Sequence, residues 1–299
     1  MDDKKNMILK EFRAFCTEAL SGIYPQTEID TFFFLLIEEK LELQRIDTVL
    51  KPEFELSDDI LQELKAIIER LIKEEPIQYI LGKTEFYGFP FLVDKNTLIP
   101  RPETEELVEW VLDEVAKIAD SNVSELSILD IGTGTGCIPI SLAKNLPNAK
   151  ITTIDISSKA LKIAKQNAKL NTVVIDFLET DILQTEKLQQ QFDIIISNPP
   201  YVRELEKQEI KNNVLENEPH LALFVDDNNP LVFYTKIADL AKNHLTKNGL
   251  LFFEINQYLG KETVKMLEEK GFKNIELRKD LFGNDRMIKT SINTRFCLD

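Results

Sequence analysis

The chain has 299 residues, of which 29% are charged and 43% are hydrophobic, and its formal net charge at pH 7 is −15. A chain of this length usually divides its core, so we expect two domains. The acidic charge disfavours direct contact with nucleic acid, because such affinity rests mainly on Lys and Arg side chains at the phosphates. We find no signal peptide and no apolar run of membrane-spanning length, and we therefore expect a cytoplasmic protein with no membrane partner.

Residues 1–81 are predicted to form a small helical domain. Ser57 is a suitable N-cap, and the apolar residues between Ile60 and Ile72 recur on one helical face. The apolar cluster from Phe32 to Ile37 indicates a further helix. This segment contains no convincing strand, so we expect a small all-α bundle.

Residues 82–96 are predicted to form a β-hairpin that links the helical domain to residues 97–299. Aromatic and β-branched residues are frequent between Phe86 and Val93, as is typical of paired strands. Thr104 is a candidate N-cap for the helix that follows, whose apolar positions run from Leu107 to Ile118.

Beyond this helix, strands and helices are predicted to alternate, which is typical of an α/β domain with a mainly parallel sheet. The predicted strands are Ser127–Ile131, Lys150–Asp155, Thr172–Phe177, Phe192–Ile196, Leu250–Glu254, Lys273–Glu276 and Met287–Ser291.

A glycine-rich turn follows the strand that carries Asp130. The turn consists of Gly132, Thr133, Gly134, Thr135 and Gly136. Its G-x-G-x-G spacing differs from the dinucleotide pattern G-x-G-x-x-G, and no Gly-Lys-Ser/Thr follows as in a phosphate-binding loop. It resembles the nucleotide turn of S-adenosylmethionine-dependent methyltransferases. The alternative is a glycine turn that serves only packing.

Two acidic residues follow the next strands. Asp155 ends a strand nineteen residues after Gly136, the place where an acidic residue accepts hydrogen bonds from ribose hydroxyls in nucleotide-binding folds. Asp181 follows the next predicted strand and is a candidate acceptor for the adenine amino group, with Ile182 or Leu183 against the ring. The alternative for Asp181 is an ordinary loop carboxylate.

The segment Ser197-Asn198-Pro199-Pro200-Tyr201 closes the apolar strand Phe192–Ile196. Two prolines end the strand because neither can donate a backbone hydrogen bond and both restrict φ. The carboxyl ends of strands are where open α/β sheets hold ligands. The Asn198 side-chain oxygen and the Pro199 carbonyl can each accept one N–H from an NH₂ group. The alternative is a tight turn with a packed tyrosine.

In combination these residues resemble a known family. The order of Asp130, the glycine turn, Asp155, Asp181 and Asn198–Tyr201 resembles class I methyltransferases that act on a planar nitrogen. Further segments resemble the glutamine methyltransferases that modify peptide-chain release factors. These segments are Pro76–Ile80, Gly82, Phe86–Gly88, Phe91, Leu98–Glu105, Val214, Glu218–Pro219, Ala222–Leu223, Phe233–Tyr234, Glu254–Ile255, Lys279–Leu281 and Arg286. Leu98–Glu105 is the most specific of them, since Asn198–Tyr201 is shared with nucleic-acid adenine methyltransferases.

The resemblance implies a Rossmann-like methyltransferase domain with a helical substrate-recognition domain before it. It implies methylation of the glutamine in the Gly-Gly-Gln motif of class-one release factors, with S-adenosylmethionine as donor and S-adenosylhomocysteine as product. By the same resemblance, Asn198, Pro199, Pro200 and Tyr201 serve catalysis and bind the substrate with Arg101. The glycine turn with Asp130, Asp155, Asp181, Ile182 and Asn198 is then the donor site, and no metal is expected.

Two departures from the family pattern stand out. The family usually has glycines where this chain has Val225–Pro230, and a glycine where it has Asn256. We expect the first to reshape a loop and the second to place a side chain near a strand end. Neither change touches the residues assigned to methyl transfer.

Two other functions remain open on the sequence. One is an adenine-amino methyltransferase acting on DNA or RNA, which the acidic charge disfavours. The other is a non-catalytic adapter that binds the nucleoside, which the intact Asn198–Tyr201 disfavours. His220 and His244 have no partner at metal-ligand or triad spacing, so we expect them to be structural or solvated. Cys16, Cys137 and Cys297 lack C-x-x-C spacing and are expected to be reduced thiols.

Overall fold

A computed structural model describes residues 6–118 and 126–293 of the chain. The chain divides into two compact units. One comprises the residues up to Leu81 together with Asn212–Asn217, and the other comprises Gly82–Lys211 and the residues from Glu218 onward. Cys16 and Cys137 are buried free thiols, whereas Cys297 lies outside the described residues.

The first unit is helical, as predicted. Its helices are α1 (Leu9–Leu20), α2 (Gln26–Leu41), α3 (Asp47–Leu50), α4 (Asp58–Ile72) and α5 (Ile77–Leu81). The predicted cap is confirmed, because the Ser57 hydroxyl accepts a hydrogen bond from the Ile60 N–H at 3.5 Å. The segment Asn212–Asn217 is tied to this unit by Asn217, whose side chain donates to the Glu74 carbonyl at 3.4 Å.

The predicted hairpin forms strands β1 (Lys83–Phe86) and β2 (Phe89–Leu92), which pair antiparallel. Phe86 and Phe91 are buried with their rings edge-to-face, 6.0 Å between centroids. Both rings belong to the core of the second unit, so the hairpin is packed onto that core.

The second unit alternates strands and helices. Its further strands are β3 (Ser127–Ile131), β4 (Lys150–Asp155), β5 (Asp176–Glu179), β6 (Phe192–Ser197), β7 (Val202–Arg203), β8 (Phe224–Val225), β9 (Leu245–Glu254), β10 (Lys273–Lys279) and β11 (Asp285–Ser291). The helices that follow α5 are α6 (Pro102–Ile118), α7 (Cys137–Asn145), α8 (Ser158–Leu170), α9 (Asn212–Asn217, grouped with the first unit), α10 (His220–Leu223), α11 (Val232–His244) and α12 (Gly260–Glu269). Short 3₁₀ turns lie at Ile182–Gln184 and Glu204–Glu209.

The central sheet is mainly parallel, as predicted. In the part of the chain that the structure describes, its order is β10-β11-β9-β6-β3-β4-β5. The pairs β3–β4, β3–β6, β4–β5 and β6–β9 are parallel, and β11 runs antiparallel to both its neighbours. The carboxyl ends of β3, β4 and β6 therefore meet at one edge, where such sheets bind ligands.

The strand predicted at Thr172–Phe177 is wrong in its first half. The Thr172 N–H donates to the Lys169 carbonyl and the Val173 N–H to the Ala168 carbonyl, at 3.1 and 3.0 Å, so these residues close the end of α8. Thr172 has φ +58° and Val174 is 92% exposed. Pairing with β4 therefore begins only at Asp176. The β-branched sequence favours a strand, but the backbone donors are already used by the helix.

None of the helices in the described ranges is long and apolar enough to cross a lipid bilayer.

Candidate active site

A cavity of about 320 Å³ opens at the carboxyl ends of β3, β4 and β6. Most of the predicted site residues lie in its wall: Arg101, Gly132, Thr133, Gly134, Thr135, Asp155, Asp181, Ile182, Asn198, Pro199 and Pro200. The predicted residues Asp130, Gly136 and Tyr201 do not line it. Phe233, from a segment of the family resemblance, also lines the cavity, together with Leu221 and Ile237, which were not predicted.

The glycine turn needs its glycines for two different reasons. Gly132, Gly134 and Gly136 have φ values of +82°, +53° and +82°, a region that residues with a Cβ rarely adopt. A Cβ on Gly136 would also lie 3.0 Å from the Ile140 side chain and 3.2 Å from Ala164. Packing therefore explains Gly136, whereas Gly132 and Gly134 bring bare backbone to the cavity.

Asp155 is fixed at the end of β4 by two backbone donors. The Gly134 N–H donates to Oδ2 at 2.9 Å and the Ser157 N–H donates to Oδ1 at 2.8 Å. Each carboxylate oxygen keeps capacity for another hydrogen bond. Burial raises the pKa of Asp155, and the two backbone donors oppose that rise. The arrangement suits two hydroxyl groups on neighbouring carbons.

Asp181 caps the 3₁₀ turn that follows β5. Its Oδ1 accepts from the Leu183 N–H at 2.9 Å, and the apolar side chains of Ile182 and Leu183 lie beside it in the cavity wall. A carboxylate next to apolar side chains suits a flat heterocycle with an amino group.

Asp130 is fully buried beneath the glycine turn. The Thr153 hydroxyl donates to its Oδ2 at 2.6 Å, while Oδ1 has no hydrogen-bond partner among the described residues. Burial raises the pKa of Asp130 to about 7. Because Asp130 does not line the cavity, a role for it in donor binding stays a prediction.

The stability of the protein should depend on pH through Asp130. Its pKa rises from 3.8 to about 7 on folding, so between these pH values the folded protein keeps a proton that the unfolded chain has released. Folding stability is therefore lost as pH rises through this window. Asp130→Asn cannot titrate, and we expect its free energy of unfolding relative to wild type to increase by up to about 3 kcal/mol between about pH 5 and about pH 8.

Urea denaturation of both proteins at the two pH values measures this difference. Asp176→Asn is the matched control, because Asp176 is exposed at the start of β5. If the difference between Asp130→Asn and wild type stays constant with pH, the raised pKa of the buried Asp130 carboxyl is contradicted.

The turn Asn198–Tyr201 begins where β6 is tied to β3. The Ser197 hydroxyl donates to the Ile131 carbonyl at 2.7 Å, which fixes the start of the turn against the glycine turn. The Asn198 NH₂ group donates to the Thr104 hydroxyl oxygen at 3.3 Å. Its Oδ1 is thereby left to accept another hydrogen bond, and both Asn198 and Pro199 line the cavity.

The proposal that Thr104 caps a helix is wrong. Helix α6 begins at Pro102, so Thr104 lies in its first turn, 2% exposed. Its hydroxyl donates to Glu254 Oε2 at 2.7 Å. Sequence offered no signal for this role, since Thr104 and Glu254 are 150 residues apart.

Tyr201 does not line the cavity, and contact of its ring with the substrate stays a prediction. The half-buried ring packs against the second hydrophobic core of this unit, and its hydroxyl donates to Glu254 Oε1 at 3.1 Å. Glu254 ends β9 and is 1% exposed. Burial raises the pKa of Glu254, while Thr104, the Arg286 charge and Tyr201 act in the opposite direction.

Arg101 lines the cavity, but its guanidinium is paired. It donates to Glu218 Oε1 at 2.6 Å, and Glu218 Oε2 accepts from the Ile99 N–H at 3.2 Å. The buried Glu218 thus holds the segment before α6 in place. A role for Arg101 in substrate binding stays a prediction.

Asn256, where the family usually has glycine, braces the chain after the proline turn. Its NH₂ group donates to the Tyr201 carbonyl at 2.9 Å and to Glu206 Oε2 at 2.8 Å, and its Oδ1 accepts from the Tyr258 N–H at 2.9 Å. The departure therefore adds contacts. The expectation that it touches none of the residues assigned to methyl transfer is wrong, because Asn256 is hydrogen-bonded to Tyr201. The segment Val225–Pro230 closes locally through Asp226, which accepts from the Asn228 N–H at 2.7 Å.

Asn167 is a further residue that the sequence did not reveal. It is fully buried on α8, donates to the Thr135 carbonyl at 2.9 Å and to the Leu92 carbonyl at 2.9 Å, and accepts from the Leu92 N–H at 2.6 Å. It joins the glycine turn to the hairpin. The sequence does place an asparagine on the apolar face of an amphipathic helix, and a buried polar side chain of this kind is expected to have hydrogen-bond partners.

His244 has a structural role. Its Nδ1 contacts the Gln190 carbonyl at 3.0 Å and its Nε2 accepts from the Leu188 N–H at 3.1 Å, so both ring nitrogens are engaged in a loop. The His220 ring packs edge-to-face on Phe224, 5.1 Å between centroids.

Family models match both units. The model for the PrmC N-terminal domain matches residues 9–82, and the model for the methyltransferase small domain matches residues 112–222. The two models thus match separate segments of the chain.

Proteins of similar sequence carry one name. The release factor glutamine methyltransferase of Flavobacterium psychrophilum is 57% identical over 95% of this chain and 99% of that protein. The one from Bacteroides thetaiotaomicron is 42% identical over 94% of this chain and 99% of that protein. The similarity thus covers both units.

Among solved structures, the hMettl16 catalytic domain in complex with MAT2A 3'UTR hairpin 6 superposes with a TM-score of 0.56. It is 15% identical and covers 71% of this chain and 79% of that one. At this identity the likeness shows the fold alone, and the fold is that of a Rossmann-like class I methyltransferase, as predicted.

Proposed function

The chain belongs to the release factor glutamine methyltransferase family, and we propose that it methylates the side-chain amide nitrogen of a glutamine in class-one peptide-chain release factors, using S-adenosylmethionine. The glutamine is the one in the Gly-Gly-Gln motif. The observation that carries the proposal is the orientation of Asn198, whose NH₂ group is held by Thr104 so that Oδ1 is left to accept from a substrate NH₂.

The chemistry of the cavity fits the donor. Asp155 has two fixed oxygens for the ribose hydroxyls, and Asp181 with Ile182 and Leu183 suits the adenine. The cavity, about 320 Å³, is within the range of small-molecule sites. When bound, S-adenosylmethionine supplies a methyl group activated by its positively charged sulfur.

The residues at the proline turn can help a substrate amide nitrogen to act as the nucleophile. An amide nitrogen is a poor nucleophile because its lone pair is delocalised into the neighbouring carbonyl. Asn198 Oδ1 and the Pro199 carbonyl can accept the two N–H bonds of the substrate amide. They thereby orient the nitrogen and stabilise the positive charge that develops there. The nitrogen releases its proton after transfer, so no strong base is required.

Incubation of the purified protein with labelled donor tests the proposal. We expect label in the release factor and none in a release factor whose Gly-Gly-Gln glutamine is alanine. Parallel reactions with DNA and RNA test the adenine alternative. Label in nucleic acid would support that alternative, whereas tight binding of S-adenosylhomocysteine without transfer to any acceptor would indicate an adapter.

We further propose that the helical unit recognises the protein substrate. The support is its own hydrophobic core and its separate family model, neither of which includes a cavity residue. A shortened chain beginning at Lys83 should bind S-adenosylhomocysteine with unchanged affinity. Its kcat/KM for release factor should fall at least about tenfold, which corresponds to a loss of about 1.4 kcal/mol in transition-state binding.

Calorimetric titration with S-adenosylhomocysteine shows whether the shortened chain is folded, which is necessary because Asn212–Asn217 then lacks its partners from the helical unit. Unchanged kcat/KM in a shortened chain that binds S-adenosylhomocysteine normally would refute recognition by the helical unit.

A further inference from the structure

We propose that Glu254 is a positioning residue that sets the orientation of the Asn198 amide through the Thr104 hydroxyl. The inference rests on the proposed function, since it concerns the orientation needed to hold a substrate NH₂ group. Glu254 is buried at the end of β9. In the described part of the chain its hydrogen bonds with other side chains join it to Thr104, Tyr201 and Tyr234, of which Thr104 lines the cavity.

The hydroxyl of Thr104 has a single proton. The group that receives this proton determines how the Asn198 amide is oriented. That proton is donated to Glu254 Oε2 at 2.7 Å. Towards Asn198 the hydroxyl oxygen can therefore only accept, and it accepts from the Asn198 NH₂ group at 3.3 Å. The Asn198 Oδ1 must then point away from Thr104.

The Glu254 carboxylate can impose this hydrogen-bond direction on Thr104 because a carboxylate accepts hydrogen bonds and donates none. Thr104 donates to one of its oxygens and Tyr201 to the other, so both partners have fixed polarity. Arg286, on β11, contributes a nearby positive charge that favours the ionised form against the effect of burial. Asn198 thus donates to Thr104, and Thr104 donates to Glu254.

A neutral amide at position 254 imposes this direction in only one of its two orientations. Glutamine has one acceptor and one donor group, so it can satisfy only one of Thr104 and Tyr201 in their present polarity. When its NH₂ group faces Thr104, the hydroxyl proton is free to donate to Asn198 Oδ1. The amide of Asn198 then turns, and its own NH₂ group faces the substrate NH₂ group.

Three variants test the inference in single-turnover methylation of release factor. Glu254→Gln and Thr104→Val should each lower the rate of transfer about tenfold, with S-adenosylhomocysteine affinity within about twofold of wild type. Thr104→Ser keeps the hydroxyl and should retain a rate within about threefold of wild type. Thr263→Val is the matched control, because Thr263 is a fully buried threonine on α12 whose hydroxyl donates to the Leu259 carbonyl. It should leave the rate unchanged.

A double-mutant cycle separates positioning from general destabilisation. In an Asn198→Ala background, Glu254→Gln and Thr104→Val should change the rate less than about twofold, because the amide they orient is gone. If they lower the rate about tenfold in that background too, or if they have no effect in wild type, the inference is overturned. Failure of the wild-type protein to methylate release factor would instead refute the proposed function.

Discussion

Replacing Asn198 with alanine is expected to lower the rate of methyl transfer by about 10²–10³, with near-normal affinity for S-adenosylhomocysteine. The Asn198 oxygen accepts from the nitrogen under attack, and this contact strengthens as positive charge develops there. Interactions that are stronger in the transition state than in the ground state appear in turnover. Removal of one preorganised partner in comparable sites costs about 3–4 kcal/mol.

Asn198→Asp is a sharper probe of the same contact. It keeps the shape and an acceptor oxygen, but it loses the NH₂ group that donates to Thr104 and adds a negative charge. We expect it to bind S-adenosylhomocysteine at least as well as Asn198→Ala does, without recovering the wild-type rate.

Single-turnover methylation at saturating release factor measures both variants. Asn145→Ala is the control, since Asn145 is an exposed asparagine at the end of α7. If Asn198→Ala transfers methyl groups within a few fold of wild type, the proposed grip on the substrate amide is wrong and the motif is only a turn.

Asp155→Ala should weaken the binding of S-adenosylhomocysteine by about ten- to hundredfold. The variant loses the acceptors for the ribose hydroxyls, a change of about 1.5–3 kcal/mol for hydrogen bonds to a charged group. It also frees the Gly134 N–H, which Asp155 holds at 2.9 Å, so some of the loss reflects a less ordered glycine turn.

Calorimetric titration measures the affinity, and thermal denaturation shows whether the variant is folded. Asp176→Ala, at the amino end of the neighbouring strand β5, removes a carboxylate from the opposite edge of the sheet and should not change the affinity. Unchanged affinity in folded Asp155→Ala would remove Asp155 from the donor site.

Local patterns were sufficient for the elements that carry the site. The strand β3, the glycine turn, the strand β4 with Asp155 at its end, and the proline turn after β6 are each contained in a few consecutive residues. Parallel strands with helical crossovers bring their carboxyl ends to one edge. Their meeting in one cavity could therefore be predicted before any contact was known.

Patterns failed where one residue type suits several environments. Threonine is a common helix N-cap, but in the structure the Thr104 hydroxyl donates a hydrogen bond to the buried carboxylate of Glu254. Thr172 and Val173 favour a strand by type, yet the end of α8 uses their backbone donors. Propensity cannot decide such cases, because the deciding partner belongs to another hydrogen-bonded element.

The amino-acid sequence by itself determined the fold class, the order of the site-bearing turns and the residues that face the cavity from the ends of β4 and β6. Only the tertiary structure decided that Tyr201 packs against the core and donates to Glu254, and that Asn198 is oriented through Thr104 and Glu254. The physical reason is the range of the interactions. Strand and turn formation depends on neighbours in the chain, whereas the direction of a buried hydrogen bond depends on which distant donor or acceptor packing brings within about 3 Å.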